Sequence, residues 1–325
     1  MAKSAALAAT SVLLCVVLAE LFVRGCIPIR NIGPSFTVYD AQYGKKLKPN
    51  ESIVRIAPEF TMTLSTNSLG HRGPEPEKGG PSILFLGDSF TMGYGVNDGE
   101  EFPSLVREAL SNRSDGSVPL VVNAGIGDSG NGRWIIFLRA EARRYEPQLV
   151  VLQVHDNDFG DNPREGTFHL GPSGELIERP IPPPGINRNI QAVIEAVPGL
   201  TSSHLVGLLR QVRLPTAAGS AGPAEPPRSK RVDPLTIRLI EEALALCEQE
   251  GWPVLALLAD LTPEHSEAVQ TVFTNRGVSA IRIPGKQEHP DLYYKVDGHW
   301  NSAGHRFVAN AVLRELRSLG IFVED

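Results

Sequence analysis

From residue 81 onward, short apolar runs alternate with segments whose apolar residues recur at helical spacing. The continuous apolar run at 83–86 fits a strand that is covered on both faces. Further strands are predicted at 120–122, 149–152, 254–258 and 278–283. The helical segments lie at 102–110, 134–144, 234–250, 264–275 and 302–319, and Asn301 or Ser302 is suited to cap the last one. This alternation predicts an α/β fold with a mostly parallel five-stranded sheet and helices on both faces.

Residues 31–80 depart from this alternation. They carry short extended patterns that Pro and Gly residues punctuate, so we expect a small β-rich preface before the sheet. Near its end lie His71 and Arg72. We expect these two residues to form a structural turn rather than part of a functional site.

A second departure covers residues 161–232. It contains a hairpin-like stretch at 171–174, then a helical segment at 190–212. The stretch at 217–227 is rich in Ala, Gly and Pro, which is typical of a mobile linker. We interpret 161–232 as an insertion that covers the functional site, and not as a separate domain. It would belong to one domain that spans 81–325.

The N-terminal residues form an apolar run from 5 to 23 that only Glu20 and small or hydroxyl residues interrupt. A run of this kind approaches the ~20 residues needed to cross a bilayer. Because no small-residue cleavage site follows it, residues 1–30 are expected to form an uncleaved signal anchor rather than a cleaved signal peptide. A lipoprotein site at Cys26 and a buried core helix are the further alternatives.

Composition limits the classes of partner. The net charge of -6 and the aromatic content of 6% argue against a nucleic-acid partner. The three cysteines, Cys15, Cys26 and Cys247, show no metal-binding spacing, and a Cys26–Cys247 disulfide is left open.

The segment Gly87-Asp88-Ser89-Phe90 directly follows the first apolar run of the sheet. A sharp strand-to-helix turn would present the Ser89 hydroxyl, and the amide groups at a helix start can bind a developing oxyanion. A serine needs a base to become a nucleophile. Taken alone, the segment favours a simple helix cap made by Asp88 and Ser89.

The segment Asp297-Gly298-His299 supplies such a base near the other end of the domain. In an extended stretch, side chains two apart point the same way, so the Asp297 carboxylate can orient the imidazole of His299. The alternative is a surface loop that precedes a capped helix.

Two further loops follow predicted strands, where open α/β sheets place their ligands. The loop at 123–130 is rich in glycine, and its backbone amides can donate to an oxyanion. In the loop at 155–158, the Asn157 amide is a suitable donor for the same oxyanion. The alternatives are a plain glycine turn for the first loop and, for the second, an acidic loop or a weak metal site that uses His155, Asp156, Asp158 and Asp161.

These four segments, in this order, resemble the SGNH (GDSL) hydrolase superfamily over roughly residues 80–320. The resemblance implies a flavodoxin-like α/β/α sandwich and no cofactor or metal. It also implies roles for single residues: Ser89 as nucleophile, His299 as base and Asp297 as the acid that orients it. The oxyanion hole would comprise the Ser89 amide, the Gly127 or Asp128 amide and the Asn157 side chain.

The spacing Asp-x-His departs from the usual Asp-x-x-His and is similar to members that modify bacterial polysaccharides. We therefore expect a membrane-anchored, serine-dependent ester hydrolase of the bacterial cell envelope, with its catalytic domain outside the cytoplasm. Its substrate would be an O-acylated glycan, such as an acetylated polysaccharide, or another acyl ester. The alternatives are an O-acyltransferase that acts on an envelope polysaccharide and a non-catalytic glycan-binding domain.

Overall fold

The computed structural model describes residues 2–29, 32–76, 81–111, 119–181, 186–211 and 231–321. The strands in chain order are β1 (Thr37–Asp40), β2 (Gly44–Leu47), β3 (Ser52–Ile56), β4 (Thr61–Ser65), β5 (Ser82–Leu86), β6 (Leu120–Asn123), β7 (Pro147–His155), β8 (Phe168–Leu170), β9 (Leu176–Glu178), β10 (Val254–Ala259) and β11 (Ser279–Ile283). The helices are α1 (Ala2–Cys26), α2 (Ser89–Met92), α3 (Phe102–Ser111), α4 (Gly132–Ala140), α5 (Asp158–Glu165), α6 (Ile186–Ala196), α7 (His204–Gln211), α8 (Pro234–Glu250), α9 (Pro263–Asn275) and α10 (Ser302–Ser318). Short 3₁₀ turns lie at Ala142–Tyr145, Leu200–Ser202 and Pro290–Leu292.

The five-stranded sheet has the order β11-β10-β7-β5-β6, and every neighbouring pair is parallel. Successive side chains of its strands enter opposite cores, as the pleat requires. In β5, Leu84 and Leu86 pack with α4 and α8, whereas Ile83 and Phe85 pack with α3 and α10. The three-layer α/β/α fold predicted from the sequence is therefore confirmed.

Two predicted helices end or break where local chemistry requires it. The helix predicted over 134–144 is α4 followed by the 3₁₀ turn Ala142–Tyr145. The helix predicted over 190–212 is split into α6 and α7, because Pro198 cannot continue a helix and Gly199 takes a left-handed φ of 85°. The hairpin expected near 171–174 is formed by β8 and β9, and the predicted linker at 217–227 lies outside the described residues.

The region predicted as a preface contains two antiparallel hairpins, β1–β2 and β3–β4. It joins the edge of the main sheet through a bridge between Arg72 and Asn123, the last residue of β6. The turn between β3 and β4 contacts the loop before α10. Further contacts join the preface to α4 and to the loop after α2, so it is attached to the domain at several places.

Arg72 is a buried cation in this join. Its guanidinium donates to the carbonyls of Met92 at 3.0 Å, Gly93 at 2.6 Å and Val96 at 2.8 Å. Met92 is the last residue of α2, and the other two follow it in the chain. It also lies 3.7 Å from the buried carboxylate of Glu101. Carbonyls at a helix end lack partners within the helix, and here a single arginine satisfies several of them.

The apolar helix α1 stands apart from the core. It is long and apolar enough to cross a membrane, and 6% of its apolar window is buried in the molecule. The alternative of a buried core helix is therefore wrong. The cysteines are free, and Cys26 is exposed whereas Cys247 is buried, so no Cys26–Cys247 disulfide is present.

Replacing Arg72 by methionine should destabilise the fold strongly, because it leaves the buried Glu101 carboxylate without its counter-charge and the carbonyls of Met92, Gly93 and Val96 without their side-chain donor. We expect a loss of about 3–5 kcal/mol in the free energy of unfolding, measured by urea titration. The matched control, Arg306→Met, removes an exposed arginine of α10 and should change the free energy of unfolding by no more than about 0.5 kcal/mol. Similar values for the two variants would contradict this account of Arg72.

Candidate active site

Ser89 lies at the first position of α2, just beyond the end of β5. The carboxylate of Asp88 accepts the Phe90 amide at 2.9 Å and so caps this one-turn helix. Gly87 is required at the turn, because a Cβ there would overlap the side chains of Thr91 and Gln153. Asp88 is the helix cap that the sequence also allowed, but the Ser89 hydroxyl has a different partner.

That partner is His299. Its Nε2 lies 2.7 Å from Ser89 Oγ, and its Nδ1 lies 2.5 Å from Asp297 Oδ1. Both separations are hydrogen-bond distances. The structure therefore brings together the three side chains that the sequence singled out, in the order hydroxyl, imidazole, carboxylate.

The backbone around Asp297 and His299 is a turn and not the extended stretch expected from the sequence. Gly298 adopts a φ of 91°, in the left-handed region that favours glycine. The Asp297 carboxylate still reaches the imidazole because the turn folds the two residues onto each other. The same carboxylate oxygen lies 3.4 Å from the His299 amide nitrogen.

Glu59 holds this turn from outside. Its carboxylate accepts the backbone amides of Lys295 at 2.8 Å, Val296 at 2.8 Å and Asp297 at 2.7 Å. Glu59 belongs to the turn between β3 and β4, and it is 238 residues away from Asp297 in the chain. Sequence reasoning missed it, because no local motif distinguishes this glutamate from other surface carboxylates.

Aromatic side chains fix the plane of the His299 ring. The rings of Phe90 and Tyr94 each have their centroid 4.9 Å from that of the imidazole. Trp300 is fully buried and packs edge-on against Phe90 at 4.7 Å. Aromatic contacts at these separations are favourable, so the imidazole is held by packing as well as by hydrogen bonds.

The electrostatic surroundings of His299 favour its charged form. Burial alone would lower the pKa of the imidazole, but the hydrogen bond and the negative charge of Asp297 outweigh it. Asp88 and Asp128 act in the same direction, and the pKa of His299 lies above its ordinary value of 6.5. The site can thus hold a proton on His299 once the imidazole has taken one from a hydroxyl.

Of the residues predicted for an oxyanion hole, Gly127 lies beside Ser89 and Asn157 contacts the neighbouring Asp88. Gly127 approaches Ser89 closely, since a Cβ on Gly127 would lie 3.6 Å from the Ser89 Cβ. Asp128 has a left-handed φ of 54°, and its carbonyl accepts a hydrogen bond from Lys45 at 2.6 Å. The side-chain amide of Asn157 donates to Asp88 at 3.0 Å, which uses one of its two N–H groups.

The four residues of the alternative metal site each have a partner within the protein, and for the His155 side chain this is Asn157, whose Oδ1 lies 2.8 Å from Nδ1. Asp156 accepts from the Thr262 amide and contacts His265, each at 2.8 Å. Asp158 accepts from the His155 amide at 2.9 Å, and Asp161 pairs with an arginine at 2.7 Å. Within the described part of the chain, no group of three or more His, Cys, Asp or Glu side chains is placed to hold a metal ion.

Comparison with known proteins identifies the family. Residues 85–307 match the model of the GDSL-like lipase/acylhydrolase family. The chain therefore belongs to this family, and it is an esterase of the SGNH type, as the order of its four motifs indicates. A search of curated protein sequences gave no significant match.

Solved structures with similar folds include several esterases. The crystal structure of TesA has 15% identity and a TM-score of 0.43, and the alignment covers 73% of this chain and 99% of that chain. A catalytic mutant of Axe2, an acetylxylan esterase from Geobacillus stearothermophilus, has 12% identity and a TM-score of 0.43, with 77% and 100% covered. A two-domain esterase active on acetylated mannans has 13% identity and a TM-score of 0.42, with 75% and 50% covered.

Replacing Asp297 by asparagine should reduce ester hydrolysis and shift its pH profile. Below the pKa of His299 the imidazole is protonated and cannot accept the Ser89 proton, so kcat/KM falls as the pH is lowered through that pKa. Because Asp297 raises the pKa, Asp297→Asn should move this acid limb to lower pH and reduce the plateau by about 10²–10⁴-fold. The matched control is Asp291→Asn, at a largely exposed aspartate, which should leave both unchanged. An acid limb that stays in place in Asp297→Asn would contradict the assignment.

Replacing Glu59 by glutamine should slow turnover without weakening substrate binding. The neutral amide retains one oxygen acceptor but loses the charge that holds three backbone N–H groups, so the Asp297–His299 turn becomes looser. We expect kcat to fall about 10- to 100-fold and KM to change by less than about twofold. Glu51→Gln, an exposed glutamate just before β3, serves as the control and should retain full kcat. Equal rates for the two variants would show that Glu59 does not position the turn.

Proposed function

We propose that Ser89, His299 and Asp297 form the catalytic triad of a serine-dependent ester hydrolase. The observation that carries this proposal is the continuous hydrogen-bond chain from Ser89 Oγ through His299 to Asp297, with separations of 2.7 and 2.5 Å. A helix cap alone would not require the Ser89 hydroxyl to meet an imidazole that a carboxylate orients.

In the first half of the reaction, Ser89 Oγ attacks the ester carbonyl carbon as His299 Nε2 takes its proton. Asp297 accepts the Nδ1–H hydrogen bond and stabilises the imidazolium that results. Collapse of the tetrahedral intermediate breaks the bond to the alcohol oxygen, which receives the proton from His299. The acyl group remains on Ser89.

The negative charge that develops on the carbonyl oxygen needs donors that are already in place. We assign this role to the backbone amide of Ser89, the backbone amide of Gly127 or Asp128, and the second side-chain N–H of Asn157. The hydrogen bond from Asn157 to Asp88 supports this assignment, because it fixes the amide group beside the start of α2.

In the second half, water attacks the acyl-Ser89 carbonyl while His299 removes a proton from that water. Collapse of the second intermediate releases the free acid and returns the proton to Ser89 Oγ. The acyl ester we propose as substrate lies outside the cytoplasm, and an O-acylated glycan is one such ester. The apolar helix α1 supports a membrane-anchored enzyme, and the Asp-x-His spacing supports a role in the cell envelope.

Covalent labelling tests the triad directly. The full chain in detergent should react with a fluorophosphonate at Ser89, identified by peptide mass spectrometry, and should hydrolyse p-nitrophenyl acetate. Ser89→Ala should lose both, and His299→Ala should retain the hydroxyl but label at least about 10²-fold more slowly. Labelling of another serine at an undiminished rate in Ser89→Ala would refute the proposed nucleophile.

Product analysis separates hydrolysis from transfer. Incubation with an acyl donor and a glycan acceptor should yield free acid at a rate that the acceptor does not alter. Acylated acceptor formed at the expense of free acid would instead identify an O-acyltransferase that uses the same Ser89 chemistry. A chain that binds the glycan but forms neither product would be a non-catalytic binding domain.

A further inference from the structure

Glu20 is an acidic residue within the apolar helix α1, and the structure gives it a function. Its carboxylate accepts hydrogen bonds from the Ser203 hydroxyl at 2.7 Å and from the backbone amides of His204 at 2.9 Å and Leu205 at 2.8 Å. These groups lie at the start of α7, so Glu20 caps a helix of the predicted insertion. Arg24, one turn later, lies 3.3 Å from the same carboxylate.

The segment after α1 continues this attachment. Val23, Ile29 and Ile32 form a small core against Leu205 and Leu208 of α7. This core fixes the end of α1 to the domain through apolar packing.

Two backbone contacts extend the join to other elements. Ile32 exchanges two backbone hydrogen bonds of 2.9 Å with Ile56 of β3, and the Gly33 amide donates to Thr201 at 3.0 Å. The end of α1 is therefore held by β3 as well as by the region of α6 and α7.

The elements that hold the end of α1 also expose apolar side chains. We define the apolar collar as five of them, which are between 43% and 63% exposed: Val54, Ile56, Val193, Val197 and Leu209. Within each element their spacing places them together. Val54 and Ile56 share one face of β3, and Val193 and Val197 are one helical turn apart.

Leu209 follows Leu205 by one turn, so it lies beside the face of α7 that packs against the end of α1, with its own side chain 63% exposed. Isolated exposed apolar residues are ordinary on a protein surface, but a concentration of them marks a contact with a partner or a membrane.

The length of α1 indicates which partner covers the collar. Its 24-residue apolar span would be about 36 Å long, against about 30 Å for the hydrocarbon core of a bilayer. Glu20 is six residues before the end of this span, hence about 9 Å from it along the axis. The helix from Lys3 to Glu20 is about 26 Å long, so if Lys3 lies at the far face of the hydrocarbon, Glu20 and the start of α7 lie within about 5 Å of the near headgroup boundary. A carboxylate at that depth is tolerated because it is hydrogen-bonded and lies beside Arg24.

We propose that the apolar collar rests on the membrane that α1 spans and inserts its side chains at the level of the headgroup boundary. This inference depends on the membrane anchoring set out under the proposed function. We commit to lipid as the occupant because the elements that carry the collar contact either the end of α1, the helix proposed to enter the bilayer, or the segment that follows it. An interfacial surface of this kind would fix the orientation of the domain instead of leaving it on a free tether.

Quenching by brominated lipids tests the collar in the full chain. Leu209→Trp and Val193→Trp would each be reconstituted in phospholipid vesicles with acyl chains brominated near the headgroup. We expect the added tryptophan fluorescence, after subtraction of the wild-type signal, to fall at least about twofold relative to unbrominated vesicles. Because the two substitutions lie on different helices, Val193→Trp still tests the collar if Leu209→Trp fails to fold.

Leu319→Trp is the matched control. Leu319 is an exposed apolar residue just after α10, and the 17 residues of that helix place it about 25 Å from the catalytic loop at the other end. Its fluorescence should be unchanged by brominated lipid.

Flotation on a density gradient completes the experiment and separates the possible failures. Vesicles that carry the protein while both collar tryptophans stay unquenched would overturn the collar but not the anchor. Protein that does not float would overturn both. Hydrolysis of p-nitrophenyl acetate in detergent depends on neither result, so failure of the collar is distinguishable from failure of the proposed esterase.

Discussion

The imidazole of His299 has to meet a hydroxyl on one side and a carboxylate on the other, and the rest of the site depends on this constraint. Ser89 comes from the end of β5, whereas Asp297 and His299 come from a turn more than 200 residues later. A hydrogen bond of 2.7 Å tolerates little error in the placement of either element. The parallel sheet gives coarse placement, because the ends of its strands share one edge. Precise placement also needs side chains from other elements that bind the backbone of each of the two segments.

The preface supplies these side chains. A cation binds backbone carbonyls in one half of the site, and an anion binds backbone amides in the other. The carbonyls that follow α2 point toward a cation, Arg72. The amides of the turn that carries Asp297 point toward an anion, Glu59. Each charge satisfies several main-chain groups that would otherwise lack partners. The β-rich segment that precedes the main sheet in the chain thus supports both halves of the candidate site.

The sequence predicted the sheet because four of its five strands contain a continuous apolar run and because the strands alternate with helical patterns along the chain. It predicted Ser89, His299 and Asp297 because these residues lie in short motifs whose order is informative. The turn at Gly298 was missed, since the pattern of side chains two apart does not report a left-handed φ. Glu59 could not be found, because its importance arises from a contact across 238 residues. Arg72 was expected to lie in a structural turn. Its contacts with the carbonyls of Met92, Gly93 and Val96 could not be predicted, because these residues are 20 or more positions away in the chain.

The hairpin β3–β4 also contacts both the segment that follows α1 and the turn that carries His299. Ile56 pairs with Ile32 after the end of α1, and Glu59, three residues further on, accepts a hydrogen bond from the Asp297 amide. The same hairpin therefore holds the segment after α1 at one point and the Asp297–His299 turn at another. Packing that keeps Ile56 and Glu59 in place contributes to both contacts, because the two residues belong to one short β-turn and its preceding strand.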